Sequence, residues 1–192
     1  VTSEKLRERA ACFTSHVHFF PFGVDVEEFE RVRTSPDDIP QDLLMLPRPV
    51  VGYVGGIHKW VDQELLAAVA SWIPHASFVL VGPPQTDVSK LVKYPNIHLL
   101  QAKPHAEVPR YIKGFDVAII AYRLSEYTAH VYPTKLNEYL AMGIPVVATD
   151  LPEIRRFNAR HGDTVAIARY AEGFARAVQD ALVPGEPEIV RR

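Results

Sequence analysis

A proline, a lysine and a glutamate lie close together in the stretch "YPTKLNEYL", residues 132–140. Pro133 suits the first position of a helix, because the amide N–H that it lacks would have no partner there. Thr134 and Lys135 would then present free backbone N–H groups and the positive end of the helix dipole to an anion. Lys135 adds a full positive charge, and Glu138 lies one turn later on the same face of the helix.

This combination of groups suits a nucleoside diphosphate. A carboxylate can accept hydrogen bonds from two ribose hydroxyls, while a lysine and backbone amides hold the attached diphosphate. The competing interpretation is a surface ion pair between Lys135 and Glu138 on an ordinary helix. The short stretch alone favours the ion pair, so the interpretation depends on the elements that position it.

The segments around this stretch alternate apolar strands with helices. Apolar runs predict strands at 50–54, 77–82, 96–100, 115–122, 144–150 and 163–168. Apolar residues recur at helical spacing in the segments that follow strands, at 62–73, 88–94, 106–114 and 172–182. Several strands are apolar on both faces, which is typical of a parallel sheet covered by helices on both sides. The sequence therefore predicts an α/β fold with a Rossmann-like, doubly wound parallel sheet.

The first part of the chain has a different pattern. Residues 2–13 predict a helix capped by Thr2 or Ser3, and "VHFFPFG", 17–23, predicts a strand that ends at a proline and a glycine. Residues 33–49 contain four prolines and are interpreted as a linker. The main domain is placed at 47–192. Because the chain starts at Val1 rather than at a methionine, we expect it to be a piece of a longer protein.

Composition restricts the partners. A net charge of −2 and a pI near 6.5 give no bulk attraction to nucleic acid, so any anion site must be local. The single cysteine, Cys12, excludes an internal disulfide and agrees with a cytoplasmic location. No apolar run approaches the ~20 residues of a membrane span. The pattern also offers no His/Cys cluster or paired carboxylates for a metal.

The loops after the strands should form the ligand site. In doubly wound sheets, ligands lie beyond the carboxyl ends of the strands, usually where the strand order reverses. The loop "GGIHKW" after the first main strand can bring the backbone of Gly55 and Gly56 close to an anion, with Lys59 nearby. It matches neither a dinucleotide fingerprint nor a P-loop, so a plain strand-to-helix turn is an equal interpretation. Trp60 and Trp72 are expected to pack against helix faces.

Several of these segments resemble a known family. The stretch "PTKLNEYLAMGIPVVATDLPEI", together with "VGYVGGIHKW", "FVLVGP" and the early "PFGVDVEEF", resembles the carboxyl-terminal half of group 1 glycosyltransferases of the GT-B fold. The resemblance covers nearly all of the chain and is strongest from Val50 to Ile154. It implies that residues 47–192 bind a nucleotide-diphosphate sugar. Residues 1–46 would be the tail of an N-terminal acceptor domain and the linker that follows it.

The resemblance also implies a reaction. The sugar would pass from the donor to an acceptor hydroxyl with retention at the anomeric carbon, without a metal or another cofactor. The chain by itself would be inactive, because the acceptor site lies on the missing domain. Peripheral membrane contact of the full-length protein stays open, as do the donor sugar, the nucleobase, the acceptor and the oligomeric state.

The family's principal motif is a pair of glutamates eight positions apart. Glu138 matches the second, which contacts ribose, but the place of the first, which contacts the donor sugar, holds His130. His130 either hydrogen-bonds to a sugar hydroxyl or is an ordinary loop histidine, and Glu126 is near enough in sequence to substitute for the missing carboxylate. Thr134 and Lys135 match the helix start that receives the diphosphate, so Lys135 is expected to stabilise the leaving group.

Two further positions depart from the family or leave alternatives. Family members carry an arginine and a lysine in the first loop where this chain has Gly56 and Val61, and Lys59 is the nearest replacement. In "QAKPH", the backbone of Ala102 and Lys103 would contact the nucleobase. A nucleotide-sugar epimerase on the same fold and a non-catalytic, flavodoxin-like binding domain remain as alternative functions.

Overall fold

The computed structural model describes residues 1–36 and 38–183. In these ranges, the main feature is a six-stranded sheet whose paired strands all run parallel. The strands are β1 (Val50–Val54), β2 (Ser77–Val81), β3 (Ile97–Leu100), β4 (Val117–Ile120), β5 (Val146–Thr149) and β6 (Val165–Ala168). All six predicted strands are confirmed, each within a few residues of its expected ends.

The order of the strands is β3-β2-β1-β4-β5-β6. The chain builds outward from β1 to β3, then returns to the other side of β1 with β4 and continues outward to β6. The order therefore reverses between β1 and β4, which is where doubly wound folds bind ligands. The predicted Rossmann-like, doubly wound α/β fold is confirmed.

Eight α-helices cover the sheet or extend from it in the described ranges. Asp62 caps the fourth of them, because its side chain accepts a hydrogen bond from the amide of Leu65 at 3.1 Å. The helices are α1 (Glu4–Ala11), α2 (Val26–Thr34), α3 (Gln41–Leu44), α4 (Gln63–Trp72), α5 (Val108–Lys113), α6 (Lys135–Ala141), α7 (Pro152–His161) and α8 (Ala171–Leu182). None of them combines the length and the apolar character that crossing a bilayer requires.

The early segment differs from its prediction. Residues 17–23 form no strand, and the amide of Phe20 instead donates to the carbonyl of Val1 at 2.9 Å. The apolar side chains of this stretch suggested a strand, but Phe20 is largely exposed and no sheet edge pairs with it.

Two later segments also differ from their predictions. The predicted linker contains α3, whose Leu43 is fully buried. In 88–94, the expected helix is only a short 3₁₀ turn, Leu91–Lys93.

Residues before β1 pack against the sheet domain. Phe29 and Val32 of α2 are buried beside α5, and Lys113 of α5 donates to the carbonyl of Val32 at 2.9 Å. A Cβ at Gly114 would lie 2.3 Å from the side chain of Leu43, so the glycine lets α3 approach closely. The same hydrophobic core therefore holds α2, α3 and the sheet.

Helix α1 is fixed to α7 and to the loop after β4. Ser3 caps it and, with its hydroxyl, donates to the carbonyl of His130 at 2.7 Å. The buried carboxylate of Glu153 accepts hydrogen bonds from the first amides of α1, those of Glu4 and Lys5. A carboxylate is favourable at that position because it meets the positive end of the helix dipole. This contact connects α1 to the loop that carries His130.

Candidate functional site

Two glycine turns meet at the carboxyl ends of the neighbouring strands β1 and β2. Gly55 follows β1 with a φ of +126°, and Gly82 follows β2 with a φ of +147°. A Cβ at Gly82 would lie only 2.3 Å from the carbonyl oxygen of Gly55. The two turns therefore touch through their backbones, and the absence of a side chain at Gly82 is what permits the contact.

Lys135 lies directly above this pair of turns. It is the first residue of α6, only 8% of it is exposed, and its Nζ donates to the hydroxyl of Tyr122 at 2.5 Å. The same Nζ is 4.9 Å from the ring centroids of Tyr53 and Tyr122. A Cβ at Gly55 would lie 3.5 Å from this nitrogen. The lysine ammonium thus points at the first glycine turn.

The charge of Lys135 has no acidic partner here. Within residues 1–36 and 38–183, no carboxylate oxygen lies within 4.0 Å of its Nζ. Two aromatic faces stabilise an ammonium only in part, by about 0.5 to 2 kcal/mol each. Burial of a charge without a counterion is costly, so the arrangement favours an external anion. The competing interpretation, a surface ion pair between Lys135 and Glu138, therefore does not apply.

Tyr53 and Tyr139 form hydrogen bonds with the backbone at the end of β1. The hydroxyl of Tyr53 donates to the carbonyl of Gly56 at 3.1 Å, and that of Tyr139 accepts from the amide of Val54 at 2.9 Å. Burial raises the pKa of both hydroxyls well above the ordinary value of 10.0. They stay neutral, so neither provides a negative charge for Lys135. Sequence reasoning missed these tyrosines and Tyr122, although Tyr122 ends a predicted strand that faces the cleft.

Glu138 is partly buried in the first turn of α6. Burial raises the pKa of its carboxyl above the ordinary value of 4.5, while the charges of Lys135 and His105 act in the opposite direction. His105 belongs to the loop after β3, so the charge of that loop acts on Glu138. The carboxylate makes no hydrogen bond within the described part of the chain. Its oxygens can therefore accept hydroxyl groups of a ligand.

Replacing Glu138 with glutamine should remove a pH dependence of stability. Because burial raises its pKa in the folded state, the carboxyl costs more to ionise there than in the unfolded chain. The wild-type protein should therefore lose stability as the pH rises from 4.5 to the raised pKa, and stay at that lower level above it. The free energy of unfolding of both proteins is measured in urea from about pH 4 to pH 8. The value for the glutamine variant should exceed the wild-type value, and the difference should grow as the pH rises from 4.5 to the raised pKa. An advantage that shrinks as the pH rises would contradict the assignment.

The first loop supplies aromatic groups rather than a second buried cation. The ring of His58 stacks on that of Trp60, with centroids 3.9 Å apart. Burial, and secondarily the charge of Lys135, lower the pKa of His58 below 6.5, so it is mainly neutral at pH 7. The side chain of Lys59 is exposed. Trp60 therefore packs on a loop histidine and against the hydrophobic core, whereas Trp72, on α4, is 48% exposed. The helix-face packing expected of the two tryptophans stays a prediction.

The loop after β4 is held by its own hydrogen bonds. Thr128 is fully buried, and its hydroxyl contacts Ser125 and the carbonyl of Arg123. His130 lies at the end of this loop, with its Nδ1 2.7 Å from the carbonyl of Glu126. The side chain of Glu126 is exposed. The structure therefore fixes the backbone at His130, the position where the family has a glutamate.

The start of α6 differs slightly from the prediction. The helix begins at Lys135 rather than at Pro133, and Thr134 is exposed before it. The first turn is tight, because the amide of Leu136 donates to the carbonyl of Pro133 at 3.0 Å. In the described ranges, the amides of Thr134 and Lys135 donate to no protein acceptor. They can still serve an anion beside the Lys135 side chain.

The loop after β3 places its two predicted residues differently. Ala102 is exposed, whereas Lys103 forms an ion pair with Asp42 of α3 at 2.7 Å. Hydrogen bonds to Asp42 and Tyr111 raise the pKa of Lys103 above its ordinary value. The Lys103 side chain thus anchors α3 to the sheet domain, and only its backbone is left to meet a ligand.

Two shallow surface pockets of about 320 and 250 Å³ lie away from these residues, one beside α4 and the 3₁₀ turn at 91–93, the other between α1 and α7. Charged side chains line both, and none of the predicted site residues does. Within the described ranges, no three His, Cys, Asp or Glu side chains come together as a metal site would require.

Comparisons with known proteins agree with this fold. Residues 48–183 match the family model described as glycosyl transferases group 1. TuaH of Bacillus subtilis strain 168, named as a glycosyltransferase of teichuronic acid biosynthesis, is 33% identical over 162 residues, which are 82% of this chain and 39% of TuaH.

Two solved structures show the same architecture. Sucrose-phosphate synthase from Thermosynechococcus elongatus superposes on 100% of this chain and 50% of its own, with a TM-score of 0.67 and 20% identity. HepE of Anabaena, solved in complex with UDP and glucose, superposes on 90% of this chain and 49% of its own, with a TM-score of 0.67 and 17% identity. The chain thus spans about half the length of these GT-B structures. Its fold and the match over residues 48–183 show that it belongs to the group 1 glycosyltransferase family.

Proposed function

We propose that this chain is the donor-binding half of a glycosyltransferase and holds the diphosphate of a nucleotide sugar between Lys135 and the Gly55–Gly56 turn. The observation that carries the proposal is the buried ammonium of Lys135, which has two aromatic neighbours and no carboxylate within ion-pair distance in the described ranges. Family membership and the complex of HepE with UDP and glucose support the same class of ligand.

We assign the remaining parts of the donor from the strand order. Glu138, on which the charge of His105 in the loop after β3 acts, would accept the ribose hydroxyls. The nucleobase would then extend toward the backbone of Ala102 and Lys103, in the same loop. The sugar extends in the opposite direction, toward the loop after β4.

Lys135 would act on the leaving group. When the bond between the anomeric carbon and the diphosphate breaks, negative charge grows on the diphosphate, and the fixed ammonium stabilises that charge. Removing one such preorganised donor costs about 2.7 to 4 kcal/mol of barrier lowering in other enzymes. The amides of Thr134 and Lys135 and the glycine turn add hydrogen bonds to the same oxygens.

The acceptor hydroxyl would be bound by a second domain of the whole protein. The proteins that match this chain are about twice its length or more. Acceptor binding would belong to the part of such a longer protein that this chain does not cover. Transfer would proceed with retention at the anomeric carbon. No contact in the described residues favours an epimerase or a signalling domain over this assignment.

Calorimetric titration of the 192-residue chain with UDP, GDP and ADP, in the presence of a chelator, tests the proposal. We expect one nucleoside diphosphate to bind in preference to the others and without a divalent cation, since the lysine supplies the positive charge. Absence of binding by all three would overturn the donor-site assignment. Measurable sugar transfer by this chain alone would overturn the need for an acceptor domain.

A further inference from the structure

The loop after β3 carries backbone groups that have no partner within the protein as the structure describes it. In residues 1–36 and 38–183, the N–H and C=O groups of Ala102 and Lys103 make no hydrogen bond. Ala102 is also exposed, so its backbone is open to a ligand. Neighbouring backbone donors and acceptors can pair with the Watson–Crick edge of a nucleobase, where the order of donors and acceptors differs from base to base.

Such pairing selects a base only if the backbone is fixed before the base arrives. In the part of the chain that the structure describes, β3 is an edge strand with β2 as its one neighbour in the sheet. The amide of Gly82 donates to the carbonyl of Leu100 at 3.0 Å, which ties the end of β3 to the second glycine turn. Beyond that point, Pro104 restricts the backbone of Lys103. The Lys103 side chain provides a further attachment.

This attachment is a cluster of three side chains, Lys103, Asp42 and Tyr111, which we call the loop anchor. Lys103 Nζ donates to the Asp42 carboxylate at 2.7 Å, and the Tyr111 hydroxyl donates to the same carboxylate, 3.0 and 2.9 Å from its two oxygens. Burial acts to raise the pKa of Asp42, but the hydrogen bonds from Lys103 and Tyr111 outweigh it and hold the pKa below 3.8. The carboxylate is therefore charged at pH 7 and attracts the lysine.

The loop anchor rests on densely packed parts of the core. Tyr111, on α5, is 2% exposed. Leu43, the neighbour of Asp42 on α3, is fully buried, and a Cβ at Gly114 would lie 2.3 Å from its side chain. Close packing resists displacement, so the Asp42 carboxylate is held in place on both sides. Through Lys103, the anchor extends this rigidity to the loop after β3.

We propose that Asp42 and Tyr111 are positioning residues for nucleobase selection. Through the Lys103 side chain, they hold the backbone of Ala102 and Lys103 in an arrangement that fits one base better than the others. This inference rests on the proposed binding of a nucleoside diphosphate with its base at this loop. Neither positioning residue touches the base, so loss of the anchor should reduce the preference among bases and leave the diphosphate site intact.

Calorimetry on the 192-residue chain tests the inference with UDP, GDP, ADP and inorganic pyrophosphate. Pyrophosphate has no base and reports on the diphosphate site alone. We expect Asp42→Ala to weaken binding of the preferred nucleoside diphosphate about two- to tenfold, the scale of one hydrogen bond. Binding of the other two nucleotides and of pyrophosphate should stay unchanged. Tyr111→Phe keeps the ion pair between Asp42 and Lys103, so its effect should have the same pattern and be smaller.

Asp38→Ala is the matched control. Asp38 forms an ion pair with Arg110 of α5 at 2.9 Å, so it joins the same segment to the same helix through a residue other than Lys103. The control should change none of the four affinities. Urea unfolding establishes that each variant is folded, and if Asp42→Ala is not, Tyr111→Phe decides the test.

The outcomes separate this inference from the proposed function. An unchanged preference among bases in the anchor variants, or an equal loss of pyrophosphate and of all three nucleotides, would overturn the role of the anchor and leave the donor site in place. Equal binding of the three nucleotides by wild type would do the same. Failure of wild type to bind any nucleotide would overturn the proposed function, and the role of the anchor with it.

Discussion

Replacing Lys135 with methionine should weaken binding of the preferred nucleoside diphosphate about 10- to 150-fold, the equivalent of roughly 1.5 to 3 kcal/mol for a charged hydrogen bond. Methionine keeps the length and much of the volume of the side chain, so the change removes chiefly the charge. In wild type, the ammonium lies 3.5 Å from a Cβ built at Gly55, beside the proposed diphosphate site. Calorimetry on the purified chain measures the loss.

Stability separates a ligand-binding lysine from a structural one. Removing a buried charge that lacks a counterion should leave the free energy of unfolding unchanged or raise it. Lys59→Met is the matched control, because its side chain is exposed on the first loop, and it should alter nucleotide binding by less than about twofold. Comparable losses in the two variants, or a Lys135→Met protein with normal affinity and poor stability, would contradict the assignment.

Replacing Gly82 with alanine should destabilise the protein by about 2 to 5 kcal/mol. The left-handed region costs an L-residue roughly 1 to 2 kcal/mol, and overpacking typically costs another 1 to 3 kcal/mol. The clash would be with the backbone carbonyl of Gly55, 2.3 Å from the new Cβ, which cannot rotate away as a side chain could. Because Gly55 forms the proposed phosphate turn, nucleotide affinity should also fall. Urea unfolding and calorimetry measure the two effects.

Gly162 provides a control for the backbone conformation alone. It also has a positive φ, +77°, but a Cβ there would meet no atom within 4 Å. Gly162→Ala should cost about 1 to 2 kcal/mol and leave nucleotide binding unchanged. If Gly82→Ala were no more costly than Gly162→Ala, the two glycine turns would not depend on their close contact.

The six strands could be predicted because their signal is local. A run such as Val117–Ile120 is apolar throughout, and only a strand with helices on both faces buries every side chain of such a run. The "VHFFPFG" segment carries an equally apolar pattern but forms no strand. Whether a strand forms also depends on a partner edge, and the sequence of the segment does not contain that information.

The charge at the start of α6 was predictable, but its surroundings were not. Lys135 and Glu138 could be identified from their spacing near a helix start. The ring of Tyr53 comes from β1, which is distant from α6 in sequence, and the ring of Tyr122 comes from the loop after β4. They meet Lys135 only through the strand order. The short stretch alone therefore left open a surface ion pair, where the structure has a buried ammonium without one.

A crystal structure of the chain with the tightest-binding nucleoside diphosphate tests the central claim most directly. The account predicts a phosphate oxygen within about 3.2 Å of Lys135 Nζ, beside the Gly55–Gly56 turn, with the ribose hydroxyls on Glu138. A diphosphate bound elsewhere, with Lys135 still enclosed by Tyr53 and Tyr122 and contacting no ligand, would contradict it.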